Sequence, residues 1–225
     1  MDSVIDMNAA RALVSDAAAW PLVRDFLWDF APQVHESWLE GLYVASDGTP
    51  LQSVPRESPR VKRFALEALG VKPCVHTFPK DDFSRLLLLD GATILAVVKW
   101  AGAIASSDQL RRVTDGATVR SLKATLPGVY PDVFGFTAYF TKWKMENAKC
   151  KMGGDVVCRI GYRILFSVLR DLPQPLLHRL ELKLPKDLQC EDDESFGDFK
   201  FSTFDFTFVS KLLKLRFPEA FALCC

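Results

Sequence analysis

The chain has 225 residues, 49% of them hydrophobic and 25% charged, the composition of an ordinary globular protein with enough length for a sizeable core. Its 28 basic and 28 acidic side chains cancel, so the basic excess that marks most nucleic-acid binders is missing. Six cysteines without a CxxC pair argue against a disulfide scaffold and fit a reducing compartment.

In chain order, the first 45 residues read as helices. The opening MDSVIDMNAARALVSDAAAW lacks the basic start and apolar core of a secretory signal. Asn8 is a candidate cap for a helix through Ala19, Pro21 suits the first turn of a second over PLVRDFLWDF, and a third is expected from Val34 to Val44. From Ala45 to Arg60 the chain turns polar and rich in Ser, Pro and Gly, which predicts a flexible loop at 45–60. VKRFALEALG follows as a short helix stopped by Gly70. KPCVHTFPKDD is irregular, and Asp82 or Ser84 starts the most apolar stretch, Leu86 to Ala105. Asp90 and Lys99 interrupt it, so it predicts buried core rather than a membrane span of about 20 apolar residues.

Ser106, Ser107 and Asp108 are caps for QLRRV, and Thr114 or Asp115 caps ATVRSLKATL, where Val119, Leu122 and Leu126 share a face. Pro127 and Gly128 end that helix, and an aromatic-rich helix is expected from Pro131 on, over DVFGFTAYFTKW. The plainest helix follows Gly153, Gly154 and Asp155, with Asp155 as its cap and Val157, Ile160, Ile164, Leu165, Val168 and Leu172 on one face. Pro173 ends it. Leu180, Leu182 and Leu184 then alternate with Arg179, Glu181 and Lys183. That period of two predicts a short strand at 179–184, leucines inward and the three charged side chains outward. An acidic connector, CEDDESFGD, leads to a phenylalanine-rich helix capped at Ser202 or Thr203, with Phe204, Phe208, Leu212 and Leu215 on one face. The expectation for residues 1–225 is a single compact, mainly α domain with at most that one short β element.

Chemistry is scarce. The histidines are His35, His76 and His178, and the chain has no GxSxG, GxGxxG or GxxxxGK[ST] motif. Cys74-x-His76 lacks the second ligand pair that a zinc site requires. No metal, cofactor or catalytic set is expected, and the chain reads as not an enzyme. The rival reading is a small hydrolase-like enzyme with a site near Cys74, His76 and Asp81, beside Asp82. Two features suggest contact surface instead. Arg159, Arg163, Phe166 and Arg170 recur at spacings of four, three and four beside the apolar face of the plainest helix, and the phenylalanine-rich block suits docking as well as core. The final FALCC reads as a pair of free thiols.

The segment LPQPLLHRLELKLP, followed by a polar stretch and an apolar C-terminal helix, resembles the SctK (YscK) family of cytosolic accessory proteins of type III secretion systems. WAGAIASSDQLRRVTDGATVRSLKATL is similar to that family's other recurring stretch: an apolar helix with a glycine (Gly102), an arginine pair after a leucine (Leu110, Arg111, Arg112), then a leucine-bearing helix (Leu122, Leu126). The likeness covers Leu86 to Cys190. It implies a non-catalytic adaptor in the bacterial cytoplasm, at the cytoplasmic face of the inner membrane when assembled. Such an adaptor links the inner-membrane ring protein SctD to the SctQ-containing sorting platform and supports protein secretion. The implied partners are SctQ and the cytoplasmic domain of SctD, with no cofactor, no nucleic acid and no membrane insertion. The candidate partner-contact residues are Arg111, Arg112, Arg159, Arg163, Arg170 and Arg179.

Overall fold

The structure, a computed structural model, describes residues 19–43, 48–54, 58–72, 74, 76–78, 83–143, 152–189 and 204–224. The protein is mainly helical. In chain order its α-helices are α1 (Trp20–Leu27), α2 (Pro59–Ala68), α3 (Gly91–Ala105), α4 (Ser107–Leu110), α5 (Gly116–Thr125), α6 (Gly154–Leu169), α7 (Gln174–Lys183), α8 (Phe206–Arg216) and α9 (Pro218–Cys224). Short 3-10 turns stand between them, among them Glu36–Trp38, Leu51–Ser53, Phe83–Leu88, Asp132–Gly135 and Thr137–Phe140. The helix expected from Asn8 lies outside the described residues except for Ala19. The chain divides into two compact units, one of Met1–Gly91, Leu172–Lys186 and Ala222–Cys225, the other of Ala92–Asp171 and Asp187–Phe221.

In the first unit, prolines and glycines set the helix ends. Pro21 and Pro59 stand in the first turns of α1 and α2, where a missing N–H breaks no helical bond. Gly70 adopts φ +65° and stops α2 in the left-handed conformation. The helix expected from Val34 does not form, because Val34 and His35 are extended, and Gly41 follows at φ +78°. In its place the described residues hold only the turn Glu36–Trp38 and an isolated bridge between Tyr43 and Pro50. Within the described part of the 45–60 loop, Leu51 is buried.

The larger correction concerns the leucine-rich segment expected as a strand. Arg179 to Lys183 belong to α7, and Leu184 ends that helix in an extended conformation. Pro175 lies in its first turn, so the prolines of this segment start a helix rather than exclude one. At 3.6 residues per turn Leu176, Arg179, Leu180 and Lys183 share a face. Leu177, Leu182 and Leu184 are buried as well. Arg179 and Lys183 are each 2% exposed, the reverse of the outward placement that a period of two predicts.

The second unit is built on close helix contact. A Cβ on Gly102 of α3 would overlap the Val157 carbonyl oxygen of α6, and one on Gly161 would overlap the Val98 carbonyl oxygen. Only glycine permits that approach. Ile94, Val97, Val98 and Ile104 of α3 and Val157, Ile160, Ile164, Leu165 and Leu169 of α6 are buried, as the apolar stretches require. No helix among the described residues is long and apolar enough to cross a membrane. Asp115 caps α5, its carboxylate accepting from the Thr118 amide at 2.8 Å. Asp205 caps α8 in the same way, accepting from the Phe208 amide at 3.1 Å; Ser202 and Thr203 lie outside the described residues. Phe204, Phe208 and Leu212 are buried, but Leu215 is exposed.

Two expectations in this unit change. The aromatic stretch after Pro131 forms the two turns Asp132–Gly135 and Thr137–Phe140 instead of one helix, with Phe136 between them. Gly153, not Asp155, occupies the cap position of α6. Asp155 lies in the first turn, where its negative charge meets the positive end of the helix dipole.

Candidate functional site

The first unit concentrates its chemistry in buried cations. Arg179 donates from its two terminal nitrogens to the carbonyl oxygens of Phe26 (3.1 Å) and Lys72 (3.0 Å), with its guanidinium carbon 5.3 Å from the centre of the Phe30 ring. One turn further, Lys183 Nζ donates to the carbonyls of Leu87 (2.6 Å) and Leu89 (2.8 Å) and lies 4.8 Å from the Phe26 ring centre. Arg85, also buried, donates to the carbonyls of Phe78 and Leu223, each at 3.2 Å.

These acceptors share an origin. Phe26 lies in the last turn of α1, Leu87 and Leu89 at the end of a 3-10 turn, and Lys72 and Phe78 in irregular backbone. Such carbonyls have no helical partner, and each one buried bare costs about 1–3 kcal/mol. Long cationic side chains from α7 and from the Phe83–Leu88 turn reach them. Burial lowers the Lys183 amine from its ordinary 10.5 to about 7, opposed by the negative charge of Asp90. Backbone contacts add to this clamp. His178 Nε2 donates to the Leu69 carbonyl beyond the end of α2 (2.9 Å), Trp38 Nε1 donates to the Leu184 carbonyl (2.8 Å), and the His35 amide donates to the Leu182 carbonyl (2.7 Å). Arg179 is therefore a packing group of the fold and not an outward contact.

The second unit keeps its arginines nearer the surface. Arg111 and Arg112 follow α4, and both are exposed. Arg111 is nevertheless held: its guanidinium donates to Thr137 Oγ1 at 2.8 Å and stands 5.5 Å from the Phe134 ring centre. Thr137 in turn donates to the Phe134 carbonyl at 3.1 Å. Arg159 and Arg163 are half-buried on α6, the helix that also carries the stacked rings of Tyr162 and Phe166, 4.3 Å apart. Arg170 lies 3.8 Å from Asp171, and both are exposed, so the pair contributes little. The expected six-arginine set thus splits into one buried residue, an open arginine turn and the flank of α6.

Sequence reasoning missed Arg85 and Lys183 as core groups and misplaced Arg179. The available signal was the spacing of four between Arg179 and Lys183 in a leucine-rich run that begins with paired prolines. It also missed Arg216, whose guanidinium lies 4.2 Å from the Trp100 ring centre and 4.9 Å from that of Phe136.

Cys74 is a half-buried free thiol, and His76 packs edge-on against Phe78 with ring centres 5.0 Å apart. Asp81 and Asp82 lie outside the described residues. No cluster of three metal-ligating side chains occurs among the described residues. Burial pushes the Cys158 thiol up from 9.0 to about 11, which keeps it protonated and a poor nucleophile. Compared with known proteins, the chain matches no family model, no curated protein and no solved structure.

Proposed function

We propose that this chain is a non-catalytic adaptor of a bacterial type III secretion system. At the cytoplasmic face of the inner membrane it links the cytoplasmic domain of SctD to the SctQ-containing sorting platform. The observation that carries this reading is the open Arg111–Arg112 turn, which falls inside the stretch Trp100 to Leu126 whose pattern resembles the SctK family. An adaptor needs contact groups that its own packing leaves over, and this turn supplies them. The other motif, Leu172 to Pro185, serves the fold through Arg179 and Lys183. The α6 flank, with Arg159 and Arg163 followed by Arg170, supplies a second face for a bridge with two partners.

The test is co-elution of the purified protein with SctQ, and separately with the cytoplasmic domain of SctD, from one bacterium. A shifted peak with either partner is expected, lost when Arg111 and Arg112 are both replaced by Glu while the thermal melt stays that of the wild type. Absence of a shift with both, at about 50 μM and thus above the roughly micromolar affinity of transient interfaces, rejects the adaptor.

A further inference from the structure

In the first unit the exposed Arg24 pairs with Asp25 at 2.6 Å and Arg63 with Glu67 at 3.1 Å, and the half-buried Lys62 with Asp29 at 2.7 Å, while Arg60 and Lys72 are exposed singly. In the second unit four exposed cations, Arg111, Arg112, Arg120 and Lys123, occupy one short segment that holds a single acid, Asp115. Arg120 and Lys123 stand three residues apart on α5, so their side chains lie next to each other. Asp115, the acid within that segment, is engaged by the amide and hydroxyl of Thr118 at 2.8 and 2.6 Å, and Asp108 stands three residues before Arg111.

The surrounding surface suits contact. Leu122 is the one buried residue of α5, so this helix turns most of its circumference outward, with the small residues Ala117, Ser121 and Ala124 exposed beside the cations. Small side chains let a second main chain come close. Thr137, which holds Arg111, shares its turn with Tyr139, a ring left 54% exposed. Exposed aromatics and arginines are both enriched at protein-contact patches.

We propose that the surface from Arg111 to Lys123, with Tyr139 at its edge, binds an acidic segment of a protein partner, a run rich in Glu or Asp. This rests on the adaptor reading above. The choice of occupant follows from charge. Four cations against the single carboxylate of Asp115 leave an excess of three positive charges in the segment, and partner carboxylates replace their mutual repulsion with attraction. Arg111 is already immobilised by Thr137 and Phe134, so its planar fork loses little freedom on meeting a carboxylate. A nucleic-acid backbone is the poorer fit, because the chain as a whole carries 28 basic and 28 acidic groups and gathers no long-range field for an extended polyanion.

The test titrates the isotope-labelled full chain with a short Glu-rich synthetic peptide and, separately, with a single-stranded oligonucleotide of equal charge. Saturable amide shifts confined to residues 111–124 and 137–139 are expected with the peptide. Replacing Arg112 and Arg120 together by Glu should weaken that binding about tenfold or more and leave the melting temperature unchanged. Shifts that never saturate, shifts located elsewhere, or unchanged affinity in the variant overturn the site. Oligonucleotide binding as tight as peptide binding overturns it too, in favour of a general polyanion surface. The same variant is run against SctQ and SctD. A variant that loses the peptide yet keeps both partners removes this site and leaves the adaptor standing. Peptide binding by a wild type that co-elutes with neither partner rejects the adaptor reading alone.

Discussion

Helices α6 and α7 follow one another in the chain and carry similar aliphatic content, yet they bury different chemistry. α6 buries Val157, Ile160, Ile164 and Leu165 and offers Gly161 to the backbone of α3. α7 buries leucines together with Arg179 and Lys183. The difference lies in what each helix packs against. α3 is a regular helix whose carbonyls are bonded along its own ladder, so α6 needs only a complementary shape. Within its unit α7 meets helix ends, a 3-10 turn and irregular backbone, where carbonyls turn inward unbonded. There a donor on a long stem removes a desolvation cost that a leucine would leave in place. Whether a charge belongs in a core is thus decided by the backbone geometry opposite it.

The comparison breaks most sharply at its closest contact. Gly161→Leu forces a side chain into the Val98 carbonyl and should destabilise the protein by about 3 kcal/mol or more, a large share of a typical folding free energy. Urea unfolding measures it, and a midpoint equal to the wild type would show that α3 and α6 part without cost. Lys183→Met keeps an apolar stem of comparable reach and deletes the donor. The Leu87 and Leu89 carbonyls lose their partner while a buried charge is relieved, for a net loss of about 2 kcal/mol. A neutral or stabilising outcome would mean that these carbonyls do not need the amine, and the contrast between the two helices would fall.

The two units also respond to pH with opposite signs. Lys183 sits at about 7 in the folded chain against an ordinary 10.5. Between those values the unfolded chain holds a proton that the folded chain has released, so stability rises with pH, by at most about 1.4 kcal/mol per unit; the gain is lost again as pH falls through 7. Cys158 sits at about 11 against 9.0. Between those values the folded chain keeps a proton that the unfolded chain has lost, and stability falls as pH rises. Urea midpoints should therefore climb from about pH 7 to 9, level off to about 10.5, and then drop. Lys183→Met should flatten the climb, and Cys158→Ala should prolong it. A wild-type curve already flat from pH 7 to 9 would show that Lys183 keeps its proton on the two carbonyls.

Much of this contrast was legible in the sequence, and the missing part has one cause. The apolar faces of α3 and α6, the Gly70 stop and the Asp115 cap are local signals, carried by spacing and by backbone preference. Gly102 and Gly161 stand in plain view as glycines, but their contact joins segments far apart in the chain. Arg179 and Lys183 failed for the same reason, compounded by a choice of period. Alternating leucines satisfy a strand, whereas Pro175 in the first turn and the Arg179–Lys183 spacing satisfy a helix, and only the tertiary environment decides between them. The carbonyls that make those cations useful belong to α1, to the residues after α2 and to the turn before α3. No pattern within LPQPLLHRLELKLP reports them. At the candidate contact surface the arginine pair was legible as charge, but its tether to Thr137 was not, since the two lie on separate elements.

The smallest effects test whether burial is what separates the cations. Asp115→Ala removes the α5 cap and should cost about 1 kcal/mol, a local loss that touches neither core. Arg170→Ala should change stability by less than about 0.5 kcal/mol, because its partner Asp171 is 3.8 Å away and both side chains are mostly in water. Arg179→Ala makes the instructive companion, since both arginines belonged to one expected contact set. It strips donors from the Phe26 and Lys72 carbonyls and the packing from Phe30, so its cost should be several times larger. Thermal melts of the two variants side by side decide the matter. Equal losses would erase the distinction between an inward cation that serves the fold and an outward one left for a partner, and Arg179 would return to the surface set.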